Sequence, residues 1–189
     1  TVYWFYADKN LSSVTNAQNL YTSSIIDMSH MFRSAGSEVD TWSIDGLGSW
    51  DTSAVTSMAY MFNGAGSGAT NWSLNGIDNW DTSAVTDMSG MFWNAGQNAT
   101  SWSIADIRSW DTSSVTKMSS MFANAGLNAN YYLDLSGWNV EKVIGHTNFD
   151  VGVESKILSP WDPKTAKAIL GTNGNLNFVY TARNYAVGD

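Results

Sequence analysis

The chain has no cysteine and only two prolines among its 189 residues. Without cysteine it can form neither a disulfide framework nor a thiolate metal site. It has no run of about 18 apolar residues, which a transmembrane helix would need. Basic residues are also few, and the formal net charge of −8 argues against nucleic acid and anionic membranes as partners. We expect one domain with a real core, in a piece processed from a longer protein.

What the chain does contain is a repeat with a period of 30 residues. The segments "WDTSAVTSMAYMFNGAG", "WDTSAVTDMSGMFWNAG" and "WDTSSVTKMSSMFANAG" begin at Trp50, Trp80 and Trp110, and a weaker copy begins at Leu20. A fixed period of 20–50 residues is typical of solenoids, propellers and arrays, and 30 residues are too few for a propeller blade of about 40–45. The sequence therefore predicts a solenoid of about four coils.

All eight methionines fall in register within this repeat, each pair followed by a phenylalanine. Around Val55, the apolar positions of one copy span roughly 120° of a helical wheel. We therefore predict a short helix over about residues 54–65, repeated in each coil and ended by a glycine. The predicted core comprises Met28, Met31, Phe32, Met58, Met61, Phe62, Met88, Met91, Phe92, Met118, Met121 and Phe122.

The other half of each coil has the alternation of a short strand. In "TWSIDGLGSW", Trp42 and Ile44 share one parity, and stacked coils would align such strands in a parallel sheet. The fourth copy, "YYLDLSGW", is two residues shorter. A change of two residues preserves side-chain parity, so Asp45-Gly46 and its equivalent Asn75-Gly76 are interpreted as a tolerated bulge or turn.

The motif WDTSxVTxMxxMF resembles the BspA-like surface-protein repeat, a leucine-rich-repeat-like family. The resemblance covers Leu20 to about Trp138, although this chain carries an additional "AGxxATxWSI" insert and has alanine where many copies have cysteine. It implies an α/β, leucine-rich-repeat-like solenoid with a short parallel strand and a short helix in each coil. It also implies a bacterial surface or secreted adhesive module, but it specifies no ligand and no catalytic residue.

The ends of the chain are expected to cap the solenoid, because an open end would expose the core and a sheet edge. We predict an N-terminal cap at residues 1–19 with a strand at Thr1–Asp8, and a four-repeat solenoid at residues 20–137. Residues 138–189 are predicted to hold a degenerate coil, a helix starting near Asp162 and ending before Gly171, and a strand at Leu176–Ala182. These parts are expected to fold as one cooperative domain.

The aspartates Asp51, Asp81 and Asp111 occupy one position of successive coils. One hypothesis is a ladder of calcium ligands, since calcium prefers several carboxylate and carbonyl oxygens. The favoured alternative is a turn in which each carboxylate accepts hydrogen bonds from the following Ser/Thr segment. The equivalent positions in the outer coils are Tyr21 and Asn139, which interrupts the ladder. We therefore predict no metal and no cofactor.

Repeated tryptophans such as Trp50 and Trp72 are interpreted as a ladder in the core, because each coil must present the same surface to its neighbours. Ligand contacts are then expected at positions that differ between copies. The helix face offers two aromatic candidates, and the strand side offers one position in each coil. These candidate contacts are Tyr60, Trp93, Thr41, Asn71, Ser101 and Tyr131.

The sequence contains no phosphate loop, zinc motif or Ser/His/Asp signal, so we expect no enzymatic activity. Its two histidines, His30 and His146, have no matched partners. Two classes of function remain open. The first is an extracellular or cell-surface adhesion module that recognises a protein or glycan on another cell or surface. The second is a structural subunit of a surface filament, pilus or stalk, which would bind copies of itself.

Overall fold

The computed structural model describes residues 3–14 and 16–161, and the backbone of two further strands at 168–170 and 176–178. A four-stranded parallel sheet runs along one side, in the order of the chain. Its strands are β1 (Ser13–Val14), β2 (Thr41–Ile44), β3 (Asn71–Leu74) and β4 (Ser101–Ile104). Each step from β2 to β4 advances the register by one repeat, so that Trp42 aligns with Trp72 and Trp72 with Trp102. The predicted solenoid is confirmed.

Two shorter sheets follow toward the C-terminus. β5 (Leu133–Asp134) pairs in parallel with β6 (Ile157–Leu158) and does not join β4. β7 (Ala168–Leu170) pairs antiparallel with β8 (Leu176–Phe178). The prediction of four coils is therefore too high: about three turns carry the full pattern. The fourth repeat is two residues shorter, and its strand leaves the main sheet.

The predicted helix in each coil is wrong, and so is the α/β class. Residues 54–65 form a succession of turns, with positive φ at Tyr60 (58°) and Gly64 (66°). Alternate N–H groups bond to the next coil: Tyr60 N donates to Ser89 O at 2.8 Å, and Phe62 N to Met91 O at 2.8 Å. An α-helix would keep these bonds within the segment. The apolar residues whose spacing suggested a helix are instead buried by turns, and the backbone of these turns hydrogen-bonds to the neighbouring coil.

Between residues 3 and 161 the core consists of side chains stacked from coil to coil. Phe32 and Phe62 are parallel at 5.3 Å between ring centroids, and Trp72 and Trp102 at 5.0 Å. The twelve methionine and phenylalanine side chains predicted for the core are all fully buried. Their near-identical spacing explains the repetition in the sequence, because only equal side chains stack in register through successive coils.

The ends differ from the caps that the sequence predicts. Trp4–Ala7 forms turns and no strand, while Phe5 stacks on Phe32 at 4.9 Å and extends the core by one ring. Near the other end, Ala168–Leu170 is a strand where the helix after Asp162 was expected. The rest of that predicted helix, residues 162–167, lies outside the described residues, as do residues 179–182 of the predicted last strand.

Candidate functional site

The repeated polar residues of the WDTSxVT motif bond to the backbone. Trp80 Nε1 donates to Leu47 O of the preceding coil at 2.9 Å. Thr82 Oγ1 donates to Asp111 O of the following coil at 3.0 Å, and Thr86 Oγ1 to Thr56 O of the preceding coil at 3.1 Å. Every coil thus hydrogen-bonds to both neighbours through these side chains. Their recurrence is explained by structure, without a ligand.

The aspartate ladder lies on the surface and forms turns. Asp81 Oδ1 accepts from Ser83 N at 3.0 Å and from Ser83 Oγ at 2.6 Å, and Asp51 makes the same pair with Ser53. Asp111 accepts from Ser113 N at 2.9 Å. The serine hydroxyl and then the backbone N–H lower the pKa of each carboxyl. These are the turn bonds that the sequence favoured over a calcium ladder.

Three of the four strand-side candidates form a polar surface on the main sheet. Thr41, Asn71 and Ser101 lie side by side on β2, β3 and β4, and all three are exposed. The next outward positions along the strands are also small and polar: Ser43, Ser73 and Ser103. We call these six residues the polar face.

Tyr131 does not belong to the polar face. Its ring packs on Trp102 at 4.4 Å, and its hydroxyl donates to Ala125 O at 2.8 Å. In the coil before Tyr131, Trp102 Nε1 makes the same kind of bond to Ala95 O of its own coil. Burial raises the pKa of Tyr131. Tyr131 therefore replaces a core tryptophan. The 30-residue period aligns it with Ser101 instead, because this copy of the repeat is two residues shorter.

The two aromatic candidates on the turn side differ in exposure. Tyr60 is half-buried, with one face stacked on His30 at 5.2 Å and its ring over Gly90. The ring centroid of Trp93 lies 6.5 Å from that of Tyr60, and Trp93 is 38% exposed. Of the pair, Trp93 presents more surface to a ligand, whereas Tyr60 forms part of an aromatic stack.

A cleft that sequence analysis missed opens where β5 leaves the main sheet. Its walls are two facing segments, residues 104–108 and 132–135, and its volume is about 350 Å³. Ile104 is half-buried, whereas its equivalents Ile44 and Leu74 are 1% and 0% exposed. The corresponding feature of the sequence is the two-residue deletion, which preserves side-chain parity and does not specify that β5 leaves the main sheet.

The rim of the cleft carries charge. Arg108 Nε donates to Asp106 Oδ1 at 2.8 Å and to Oδ2 at 3.0 Å. This contact lowers the pKa of Asp106 to about 2, and Asp134 on the facing segment also stabilises the Arg108 cation. In the two preceding coils, the Asp106 position is Gly46 and Gly76, with φ of 87° and 83°. Asp106 has φ −70°, so the backbone of this turn also differs at the cleft.

Residues 3–97 and 67–150 match the family described as "Mycoplasma protein of unknown function, DUF285". The chain belongs to the DUF285 family. No curated protein and no solved structure matches it. The two matches together span residues 3–150, which include the main sheet and the cleft, and the family description assigns no activity to these residues.

Other chemical groups of this DUF285 chain are dispersed. Within the described residues, no three His, Cys, Asp or Glu side chains cluster as metal ligands would. His30 lies in the aromatic stack on the turn side, and His146 stacks on Trp161 at 4.5 Å near the other end. The same part of the chain contains no helix long and apolar enough to cross a membrane.

Proposed function

We propose that this chain is a non-enzymatic binding module of the BspA-like type, acting in adhesion at a cell surface or outside the cell. Its ligand is a protein or glycan on another cell or surface. The observation that carries the proposal is that repeated residues and variable residues occupy different places in the structure. The repeated ones are used in coil-to-coil contacts, whereas exposed positions such as Thr41, Asn71, Ser101 and Trp93 vary between coils.

A stack of coils suits this function physically. Adjacent coils present their variable residues at a regular spacing of about 4.8 Å along the sheet. The stacked core fixes the backbone beneath them, so binding there costs little ordering of the protein. Extended solenoid surfaces commonly bind ligands in this way. The geometry thus supports a rigid surface that binds from the side.

The test is binding of the purified chain to immobilised neutral glycans, acidic glycans and unfolded polypeptide, measured as saturable isotherms. We expect at least one saturable interaction that Ser101→Lys or Trp93→Ala weakens. Asn128→Lys is the control and should bind normally, because this exposed residue belongs neither to the polar face nor to the aromatic pair Tyr60 and Trp93. Each variant is first compared with the parent by its melting temperature. Failure of the whole panel to bind would contradict the proposal.

The alternative is a structural subunit of a surface filament, pilus or stalk. It is favoured by the exposed aromatic residues near the N-terminal end of the stack, Tyr3 at 55% and Trp4 at 41%. Sedimentation at increasing concentration distinguishes the two functions. A side-on binder stays at one mass, whereas an assembling subunit forms larger species that Trp4→Ser abolishes.

A further inference from the structure

We propose that the turn side of the stack binds a glycan with one carboxylated terminal sugar, whose carboxylate pairs with Arg33 and whose next sugar packs on Trp93. This inference rests on the proposed binding function and names its ligand class and its surface. Three features support it: a ladder of rings that the coils do not need, the contacts of one guanidinium, and a backbone that is already paired. The surface, which we call the aromatic strip, comprises Tyr3, Tyr6, His30, Arg33, Tyr60 and Trp93.

Four rings of the strip form a ladder along the stack. Tyr3 stacks on His30 at 5.8 Å between ring centroids, and His30 stacks on Tyr60 at 5.2 Å. The indole of Trp93 follows, 6.5 Å from Tyr60 and tilted by 48°. The equivalent residue in the next coil is Ala123, so Trp93 ends the ladder with 38% of its surface exposed. Because the face of an aromatic ring carries partial negative charge, it attracts the C–H groups of a sugar.

The coils do not need rings at these positions. His30 and Tyr60 have φ of 64° and 58°, and their equivalents Gly90 and Ser120 have φ of 59° and 56°. This left-handed region is unfavourable for bulky residues, whereas glycine adopts it freely. Glycine and serine therefore satisfy the fold here, yet two coils place a ring on the same strained backbone. Such strain is concentrated at functional sites, which favours a binding role for the ladder.

Arg33 supplies the charged group of the strip. Its guanidinium carbon lies 6.0 Å from the ring centroid of Tyr6 and 5.9 Å from that of Tyr60, and its Nη1 is 3.4 Å from His30 Nδ1. None of the ion pairs between described residues involves Arg33. A guanidinium presents a planar fork of N–H donors that matches a carboxylate. Arg33 and Trp93 both border the Tyr60 ring, so one short oligosaccharide can contact both.

The charge around the strip limits how acidic the ligand can be. One guanidinium pairs with one carboxylate. Asp27 acts electrostatically on His30, so negative charge also lies close to the strip, and the whole chain carries −8. Further carboxylates on the ligand would be repelled. A glycan that ends in a single carboxylated sugar, of the sialic acid kind, meets this condition, whereas a polyuronate does not.

The backbone beneath the strip favours a glycan over a peptide. Tyr60 N donates to Ser89 O at 2.8 Å, and Gly64 N donates to Trp93 O at 2.7 Å. Asn63 Nδ2 donates to the same Trp93 oxygen at 2.8 Å. An extended peptide that adds as a strand is held by main-chain hydrogen bonds, and these groups already make theirs with the neighbouring coil. A sugar needs only the rings and the side-chain donors.

The experiment titrates the full chain with sialyllactose and, as the neutral glycan, with lactose. Binding is followed in proton–nitrogen spectra at the indole N–H of Trp93 and the Nε–H of Arg33. We expect sialyllactose to shift both signals saturably. Lactose should bind about tenfold less tightly or weaker still, because it lacks the charge-assisted hydrogen bond to the guanidinium.

Two further probes test the ligand class. A trimer of galacturonic acid should bind less tightly than sialyllactose, since the acidic chain repels its additional charges. The blocked peptide acetyl-Ala-Glu-Ala-amide carries one carboxylate and no sugar, and it should leave the Trp93 indole signal unchanged.

Two variants with matched controls locate the ligand. Arg33→Gln should reduce sialyllactose binding to the level of lactose, whereas Lys142→Gln removes the same charge at an exposed position elsewhere and should bind normally. Trp93→Asn introduces the residue that Asn63 provides at the equivalent position, so the coil should still fold. It should weaken binding of both glycans, while Ile144→Asn, at an 86% exposed apolar position, is its control. Each variant is first compared with the parent by its melting temperature.

The outcomes distinguish this inference from the proposed function. Equal binding of lactose and sialyllactose, or full binding by Arg33→Gln, would overturn the pairing of a carboxylate with Arg33. Equal binding of the peptide would overturn the glycan, and tighter binding of the galacturonic acid trimer would overturn the single carboxylate. If sialyllactose fails to bind while the immobilised panel still binds, the binding function stands and only this inference is wrong. If the panel and all soluble probes fail, both proposals are wrong.

Discussion

Lys156 Nζ lies 5.4 Å from the centroid of the Tyr131 ring and donates to three backbone carbonyls beside it. Those carbonyls belong to Gly126, Leu127 and Ala129, at 3.1, 2.7 and 2.7 Å. In the preceding coils, backbone groups of the next coil pair with this region, as in Asn98 N to Ser67 O at 3.2 Å. Lys156 thus replaces the missing coil as a hydrogen-bond donor.

We expect Lys156→Met to lower the free energy of unfolding by about 1–3 kcal/mol. The reason is that the three carbonyls lose the hydrogen bonds that the charged ammonium donates to them. Methionine keeps the length of the apolar stem, so the change isolates the ammonium. Lys142→Met, at an exposed position, is the control and should be near neutral. Urea unfolding measures both. Equal effects in the two variants would show that the contact contributes nothing.

The stacked His30 makes stability depend on pH. Burial, and then the Arg33 cation, lower the pKa of His30 below its ordinary value of 6.5. The unfolded chain therefore binds this proton more readily, and the folded state loses stability as the pH falls from about 7 through 6.5 to the lower folded value. His30→Tyr, which repeats the tyrosine that the next coil has at the equivalent position, should remove this part of the slope. Thermal melts across that range measure it, and an identical slope in both proteins would contradict it.

Gly90 is required by the ring of Tyr60. A Cβ built on Gly90 would lie 2.5 Å from Tyr60 Cδ1, at a φ of +59°. Gly64 has a similar φ of +66°, but its nearest neighbour, Ser34 Oγ, would be 3.6 Å away. Gly64→Ala therefore measures backbone strain alone, about 1 kcal/mol. Gly90→Ala should cost more, and the difference should shrink in a Tyr60→Ala background, as a double-mutant cycle would show.

Two equivalent tryptophans differ in one hydrogen bond. Trp72 Nε1 donates to Ala65 O at 3.0 Å, whereas Trp42 Nε1 is buried with no partner among the described residues. Both rings are almost fully buried, at 1% and 0% exposed. Trp72→Phe should therefore destabilise the protein by about 1 kcal/mol more than Trp42→Phe. Chemical denaturation of the two variants tests this, and the opposite order would be evidence against it.

The Asp81 turn should contribute to stability only while the carboxylate is charged. Its pKa lies below the ordinary 3.8 because of the Ser83 hydroxyl and then the Ser83 N–H. Its contribution is thus present above about pH 4 and is lost as the pH falls through the folded value. Asp81→Ala should lower the melting temperature at neutral pH, whereas Asp45→Ala, at another exposed aspartate, should not. Calcium should leave the parent melt unchanged; a saturable upward shift would instead indicate a metal site.

The sequence predicted which side chains recur, and hence the solenoid, more reliably than it predicted backbone conformation. The stripe containing Val55, Met58, Met61 and Phe62 fits a helical wheel, and the same residues are buried in a chain of turns. Spacing alone cannot separate the two, because both place every third or fourth side chain inward. The positive φ of Tyr60 is incompatible with a helix, and the identity of the residue, a tyrosine, does not predict it.

The candidate site shows a similar division. Thr41, Asn71 and Ser101 could be assigned to one exposed surface because a period of 30 residues aligns them in any solenoid. Tyr131 could not be placed, because its ring moves into the core beside Trp102 just where the register is lost. The cleft could not be predicted at all, since it depends on β5 pairing with β6, a partner 24 residues further along.

By itself, the sequence determined the period, the stacked core and the absence of disulfides. Each follows from residue identity: equal coils need equal side chains, and a chain without cysteine has no thiol. Only the tertiary structure decided whether backbone hydrogen bonds close within a segment or between coils. It also decided where the main sheet ends. Those outcomes depend on competition between distant partners for the same N–H and C=O groups, and every residue except proline carries both groups.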